Sequence, residues 1–178
     1  CRISIVRSDG GLMSVDAAAE RPVYSMLSGP SGGVTAAAKI GMEAGYKNVI
    51  SFDMGGTSTD VSLTYNGEPR VSRQTKVGEF PVSAPSLEVV SIGAGGGSIA
   101  HVPLTGALRV GPQSAGADPG PACYNLGGDE PTVTDANLLL GYLPTSLVGG
   151  EMKLNIEKSK NAIQKIADKL GVDVYKAA

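Results

Sequence analysis

Hydrophobic and polar positions along the chain follow strand and helix periods in an α/β order. The apolar run Val49, Ile50 and Phe52 predicts a strand near 47–53, and the residues of 61–64 predict a second strand. The short glycine and hydroxyl stretch between them predicts an antiparallel hairpin. Before the hairpin, small residues predict a helix over 30–44, with Ser28 or Ser31 as its cap.

The remaining pattern predicts further strands over 1–7, 68–76 and 87–92, and a short helix near 15–20. Glycine and proline dominate 111–131, which predicts a long loop. A helix is expected to start at Thr134 and Asp135 and to end near Gly141. The order predicts an α/β fold with a five-stranded mixed sheet and flanking helices.

Near the end of the chain, an amphipathic helix is predicted over 155–171, with Asn155 as its cap and Gly171 closing it. One face is apolar and the opposite face carries lysines. The predicted apolar face consists of Ile156, Ile163, Ile166, Ala167 and Leu170.

The hairpin turn is the strongest candidate for chemistry. Glycines without a Cβ let an anion approach backbone N–H groups, and hydroxyls add further donors. Flanking carboxylates suit a hydrated Mg²⁺. Such a loop provides what the phosphates and metal of a nucleotide require, although an ordinary capped hairpin has the same composition. The candidate residues are Asp53, Gly55, Gly56, Thr57, Ser58, Thr59 and Asp60.

A second glycine cluster follows at 93–98. Its start resembles a dinucleotide fingerprint, but Ser98 occupies the position that needs glycine or alanine, and no acidic residue follows at a strand end. No Gly-Lys-Ser/Thr sequence of a Walker loop occurs anywhere. The cluster is therefore interpreted either as part of a nucleotide site of another kind or as a tight crossing of two chain segments.

Composition excludes several classes of protein. The 178 residues are 42% hydrophobic and 18% charged with a net charge of -2, so no nucleic-acid partner is expected. No apolar run reaches the roughly 20 residues of a membrane helix, which predicts a cytoplasmic protein without membrane contact. Two cysteines, Cys1 and Cys123, form no disulfide framework. A start at Cys1 predicts a fragment of a larger polypeptide.

Several single residues are weaker candidates. His101 is the only histidine, so it is interpreted as a packed residue, and Cys123 is interpreted as a small core residue. Arg109 is expected to anchor a loop. Residues that could line a site beside the predicted loop are Ser114, Asp118 and Asp135.

Four strings together carry a family resemblance: FDMGGTSTDVSL, SIGAGGGSIA, LRVGPQSAGADPGPACY and PTVTDANLLLGYL. In this order they resemble the hydantoinase A/oxoprolinase family over about 9–171. The family includes N-methylhydantoinase, oxoprolinase and the beta-type subunits of acetone and acetophenone carboxylases. The resemblance implies an internal fragment of a larger ATPase domain, with one domain over 1–178, a core over about 22–143 and a final helix over about 155–171.

The resemblance also implies a ribonuclease-H-like, actin-like ATPase half-domain that uses ATP and Mg²⁺. Asp53 and Asp60 would be catalytic, with Asp53 on the metal, and the turn residues would bind phosphate. Beside the nucleotide would lie Gly95, Gly96, Gly97 and Ser98.

The implied activity is ATP-dependent hydrolysis of a cyclic amide such as a hydantoin or oxoproline. The alternatives are a beta-type subunit of an ATP-dependent ketone carboxylase and a non-catalytic actin-like scaffold module. Expected partners are the small substrate, the rest of the parent chain and a subunit of the hydantoinase B type. The fragment alone is expected to be inactive.

Overall fold

The computed structural model describes residues 3–178, so Cys1 and Arg2, part of the predicted first strand, lie outside the described residues. The helices are α1 (Val15–Glu20), α2 (Ser28–Glu43), α3 (Val133–Leu139), α4 (Ile156–Leu170) and α5 (Val174–Ala177). The strands are β1 (Ser4–Val6), β2 (Leu12–Ser14), β3 (Val49–Met54), β4 (Thr59–Tyr65), β5 (Glu68–Pro69), β6 (Val71–Ser72), β7 (Thr75–Val77), β8 (Phe80–Val82), β9 (Ser86–Leu87), β10 (Val90–Ile92), β11 (Ser98–His101), β12 (Arg109–Ser114), β13 (Ser146–Leu147) and β14 (Met152–Lys153).

The chain forms two compact units. Unit 1 contains the chain up to Asp53 and Asp60–Ser91, and unit 2 contains Met54–Thr59 and Ile92–Ala178. The predicted mixed α/β class is confirmed, whereas the actin-like assignment stays a prediction. The single domain predicted for 1–178, with its core over about 22–143, also stays a prediction, because one larger domain can contain both units.

The main sheet has the strand order β10-β4-β3, and β5 also pairs with β4. Because only four residues join β3 to β4, these neighbouring strands are antiparallel, as predicted for the hairpin. The predicted five-stranded sheet is wrong for the described residues, since this largest sheet has four strands. The predicted strand 68–76 divides into β5, β6 and β7, which have different partners, and 87–92 divides into β9 and β10.

Helix α2 packs in unit 1 through small side chains. Ser31, Val34, Ala38 and Gly41 are buried along it. The predicted serine cap is wrong, because the helix begins after Leu27 without a side-chain cap. The Ser31 hydroxyl instead donates to the Ser8 carbonyl at 2.6 Å, so this serine joins the helix to the N-terminal hairpin.

Helix α4 forms the core of unit 2, and the predicted helix over 155–171 is confirmed. Asn155 accepts a hydrogen bond from the Lys158 N–H at 3.1 Å, and Gly171 closes the helix with a φ of 65°. Ile156 is an exception to the predicted apolar face, since it is 40% exposed and the buried stripe starts only at Ser159. The buried cluster consists of Ile163, Ile166, Ala167, Val174 and Ala177.

Asp135 connects the helical elements of unit 2. It lies in the first turn of α3, which begins at Val133 after the Thr132 cap, slightly earlier than predicted. Its carboxylate is fully buried and accepts five hydrogen bonds at 2.7–3.2 Å. The donors are the N–H groups of Ala122, Cys123 and Thr132 and the hydroxyls of Thr132 and Ser159.

The predicted loop over 111–131 is more ordered than its composition indicated. Strand β12 occupies 109–114, and a 3-10 turn at Ala122–Tyr124 lies against the Asp135 carboxylate. Across the described residues, no helix combines the length and apolar character that crossing a membrane requires.

We expect Asp135→Ala to destabilise the protein by roughly 3 kcal/mol or more, because each buried donor left without a partner costs about 1–3 kcal/mol. The matched control is Asp129→Ala, which removes an exposed carboxylate and its ion pair with Lys165 and should change stability by less than about 1 kcal/mol. Urea unfolding followed by circular dichroism measures both. Equal stabilities for the two variants would contradict the role given to Asp135.

Candidate phosphate-binding site

The turn between β3 and β4 presents unbonded backbone donors. The Gly55 N–H donates to the Ser58 carbonyl at 2.8 Å, which closes the turn. Within residues 3–178, no backbone hydrogen bond uses the N–H groups of Gly56, Thr57 and Ser58. Gly56 and Thr57 line a cavity of about 570 Å³ in unit 2. Consecutive free N–H groups beside an open cavity can bind an anion.

The second glycine cluster packs against this turn. The Gly96 N–H donates to the Gly55 carbonyl at 2.9 Å, and the Gly97 N–H donates to the Gly56 carbonyl at 2.7 Å. A Cβ added at Gly95 would lie 2.6 Å from the Thr57 nitrogen and 2.7 Å from the Gly55 oxygen. The cluster is therefore a tight crossing of two segments. Gly96 and Gly97 also line the cavity, but their N–H groups are occupied.

Two of the predicted hydroxyl donors are occupied within the fold. Thr59 is buried and its hydroxyl donates to the Ala94 carbonyl at 2.5 Å. Ser98 is also buried, and its Oγ accepts the Gly95 N–H at 2.8 Å. Among the hydroxyl residues predicted from the turn, Thr57 is the one that lines the cavity, whereas Ser58 is absent from the lining. Ligand contacts of Ser58, Thr59, Gly95 and Ser98 stay predictions.

The predicted carboxylates line another cavity, of about 370 Å³, within unit 1. Asp53 is exposed there, and a Cβ added at Gly33 of α2 would lie 3.6 Å from its Oδ2. The Asp60 carboxylate accepts a hydrogen bond from the Ser91 hydroxyl. No cluster of three or more metal-ligating His, Cys, Asp or Glu side chains occurs in the part of the chain that the structure describes. A metal held here would have at most these two carboxylates.

The weaker candidates lie outside the lining of the 570 Å³ cavity. The Ser114 Oγ accepts the Gly116 N–H at 3.1 Å, and Asp118 is exposed. His101 in β11 pairs with Arg109 in β12. Asp135, predicted as a possible site residue, instead holds the fold together through its buried carboxylate.

Sequence reasoning missed one side of the cavity. Seven of the nine residues lie in the last two family strings, but strand and helix periods do not show that distant segments enclose one space. The missed lining residues are Met54, Gly116, Ala117, Pro121, Tyr124, Thr134, Asn137, Leu143 and Leu147.

Cys123 is an inert core thiol, in agreement with its sequence interpretation. Its side chain has no exposed area. Burial, followed by the charge of Asp135, raises the pKa of the Cys123 thiol to about 12. A thiol that stays protonated at neutral pH is a poor nucleophile.

Known proteins share this sequence and architecture. The family model described as hydantoinase/oxoprolinase matches residues 1–178. The alpha subunit of caprolactamase from Pseudomonas jessenii is 46% identical over 174 residues, which are 97% of this chain and 25% of that protein. The chain belongs to the hydantoinase/oxoprolinase family.

Two solved structures have the same fold as this chain. A nucleotide-free acetone carboxylase structure, described with ATP-dependent acetone carboxylation, matches with a TM-score of 0.84 at 36% identity over 99% of this chain and 25% of that one. The ATP-dependent caprolactamase from Pseudomonas jessenii matches with a TM-score of 0.82 at 43% identity over 97% of this chain and 25% of that one. The chain spans about a quarter of the length of these relatives.

Gly95→Ala is expected to displace the turn, because the new methyl group would lie under 3.0 Å from backbone atoms that cannot rotate away. The expected loss of stability is about 1–3 kcal/mol, as for other overpacked sites. Gly93→Ala is the control, since its Cβ would have Pro112 as nearest neighbour at 3.8 Å. Urea unfolding compares them, and a Gly95→Ala protein as stable as Gly93→Ala would show that the crossing is loose.

Cys123 should resist alkylation by iodoacetamide at pH 8 in the native protein and react at least tenfold faster in urea, because burial keeps the thiol protonated. Since the folded pKa is raised, the protonated thiol contributes stability fully below its ordinary value of 9.0, and that contribution is lost as pH rises toward about 12. Peptide mass spectrometry locates the label. Equal labelling rates in both states would contradict the buried thiol.

Proposed function

We propose that this chain carries the phosphate-binding turn of an ATP-dependent enzyme that hydrolyses a cyclic amide. The observation that carries the proposal is the set of unbonded N–H groups of Gly56, Thr57 and Ser58, two of whose residues line the 570 Å³ cavity. Membership of the hydantoinase/oxoprolinase family and likeness to an ATP-dependent caprolactamase support the hydrolase class. The reaction, substrate and partner subunit belong to the complete protein.

The turn is suited to phosphate because its donors are backbone groups in fixed positions. The Gly55–Ser58 bond and the two bonds from Gly96 and Gly97 orient the peptide planes before a ligand arrives. We assign the Gly56 and Thr57 N–H groups to phosphate oxygens, with the Thr57 hydroxyl as an additional donor. The predicted role of the Gly55 N–H is withdrawn, because this group closes the turn.

Asp53 and Asp60 are the residues that would hold Mg²⁺. These two carboxylates suit Mg²⁺, because this ion is usually bound through one or two carboxylates, with water and substrate phosphates completing its octahedral coordination. Both carboxylates line one cavity, and Asp53 has the greater exposure. Bound Mg²⁺ would neutralise the negative charge on transferring phosphate.

ATP would transfer a phosphoryl group to the amide oxygen, which turns the resonance-stabilised amide into an imidate-like species that water can attack. The ring C–N bond would then break with the nitrogen leaving as the amine, and hydrolysis of the acyl phosphate so formed would release phosphate. The residues of this chain would hold the phosphates and keep them in line for transfer. A second candidate is a carboxylase subunit, which the likeness to acetone carboxylase favours. Because one relative is a caprolactamase alpha subunit, we propose that a second subunit completes the enzyme.

Gly56→Ala tests the turn directly. A Cβ at Gly56 would meet no atom within 4 Å, so the fold should be unchanged, while the methyl group obstructs an anion approaching the turn. In the complete polypeptide with its partner subunit, we expect ATP-dependent phosphate release to fall about 10²-fold, as when a preorganised donor is removed. Gly29→Ala, equally open but in α2, is the control and should have parental activity.

The role of the Asp53 carboxylate is tested in the same phosphate-release measurement. Asp53→Ala is expected to abolish ATP turnover while circular dichroism stays unchanged, because the side chain is exposed. Thr57→Ala should reduce turnover less, since its backbone N–H remains. If Gly56→Ala and Asp53→Ala both turn over ATP at the parental rate, the turn is not the phosphate site.

A further inference from the structure

The main sheet of unit 1 has an apolar face that points away from helix α2. On the α2 side, a Cβ added at Gly41 would overlap the Val49 side chain. Ser51 faces the same side as Ser62, because their hydroxyl oxygens lie 2.8 Å apart. Side chains alternate along a strand, so the alternate positions of β3 and β4 face away from α2. This open sheet face consists of Ile50, Phe52, Val61, Leu63 and Tyr65.

Burial along β4 is the reverse of what a strand beside water requires. Ser62 and Thr64, on the α2 side, are 4% and 5% exposed, whereas Leu63 and Tyr65 are 50% and 67% exposed. A sheet with one solvated face normally turns its apolar side chains to the core and its polar side chains to water. The sequence of β4 is therefore that of a strand covered on both faces, and residues 3–178 cover only one of them.

The open sheet face has the shape and charge of a packing surface. Two cavities of about 380 and 580 Å³ lie along it, and Leu63 and Arg70 line both. Val90 of β10 lines the smaller cavity and Ile50 of β3 the larger one, so the surface extends over three strands. The Arg70 guanidinium lies 3.9 Å from the Glu88 carboxylate, which offsets the charge in this lining. Contiguous apolar surface of this kind marks an interaction site.

We propose that an apolar segment of the complete polypeptide, from outside residues 1–178, packs on the open sheet face. Sheets of α/β folds are normally covered on both faces by elements of their own domain. The chain covers 25% of each of the two solved structures that share its fold, so proteins of this kind have ample further chain to supply the cover. The aliphatic and aromatic surface is more apolar than typical interfaces between subunits that dissociate. The inference does not depend on the proposed function.

Photo-cross-linking in the complete polypeptide identifies what covers the open sheet face. Tyr65→p-benzoylphenylalanine should, on irradiation, link to a peptide of the same polypeptide from outside residues 1–178. Mass spectrometry of the digested monomer band identifies that peptide. Tyr46→p-benzoylphenylalanine is the matched control, because Tyr46 is 68% exposed but follows α2 and lines neither cavity. The control should not link to the same peptide.

Thiol labelling of the complete polypeptide measures independently whether the face is covered. Leu63→Cys should react with a maleimide at least roughly tenfold more slowly than Lys39→Cys, because a covered thiol reacts only when the structure around it opens. Lys39 is a suitable control, since its charged side chain on α2 is 77% exposed. Circular dichroism checks that each variant is folded, and peptide mass spectrometry locates the label.

Three results would overturn the inference. A cross-link between two copies, in a band with the mass of a dimer, would assign the cover to a second copy of the polypeptide. A cross-link that forms only with the partner subunit present would assign it to that subunit. Labelling of Leu63→Cys as fast as that of Lys39→Cys would show that the face is open. None of these results bears on the proposed function, which Gly56→Ala tests separately.

Discussion

The site depends on the two backbone hydrogen bonds by which Gly96 and Gly97 hold the carbonyls of Gly55 and Gly56. A glycine-rich hairpin tip alone would lose much conformational entropy on ordering. The crossing fixes its carbonyls, and the Thr57 and Ser58 nitrogens also lie beside Gly95, while the N–H groups of Gly56, Thr57 and Ser58 make no backbone hydrogen bond. This arrangement requires glycine at position 95, where any Cβ would overlap the turn. The second glycine cluster therefore determines whether the first can act as an anion site.

The Asp135 carboxylate supports the rest of the cavity in a similar way, because its hydrogen bonds also fix chain segments in place. A buried carboxylate is tolerated only when hydrogen bonds replace its lost hydration, and here five donors do so. Because those donors belong to a 3-10 turn, the start of α3 and helix α4, one side chain sets the mutual positions of three elements. The Tyr124 and Asn137 sides of the cavity share this support, since Asn137 follows Asp135 by two residues in α3.

Local signals in the sequence predicted the hairpin and helix α4 well, because turn glycines, an asparagine cap and a glycine stop act over a few residues. The capping box of Thr132 and Asp135 was not predicted, because the helix was expected to start at Thr134, although Thr-x-x-Asp before an apolar run is its local signature. The bonds of the Asp135 carboxylate to Ala122 and Ser159 could not be predicted from local signals, since they join residues 13 and 24 positions away. Local signals also do not show which distant residue a side chain or strand pairs with. For this reason Ser31 was predicted as a cap, although it bonds Ser8, and 68–76 was predicted as one strand.

The distribution of donors also bears on why amide hydrolases and ketone carboxylases can share this segment. The turn offers neutral N–H groups. Under the proposed function these groups contact a phosphate of ATP and make no contact with the molecule that accepts the phosphoryl group. Neutral donors leave most of the charge of a triphosphate uncompensated, so cationic partners must come from Mg²⁺ or from other parts of the complete protein. Under the proposed function, this segment handles the nucleotide in both enzyme classes. The choice between amide and ketone then depends on side chains outside the cavity that the glycine turn lines.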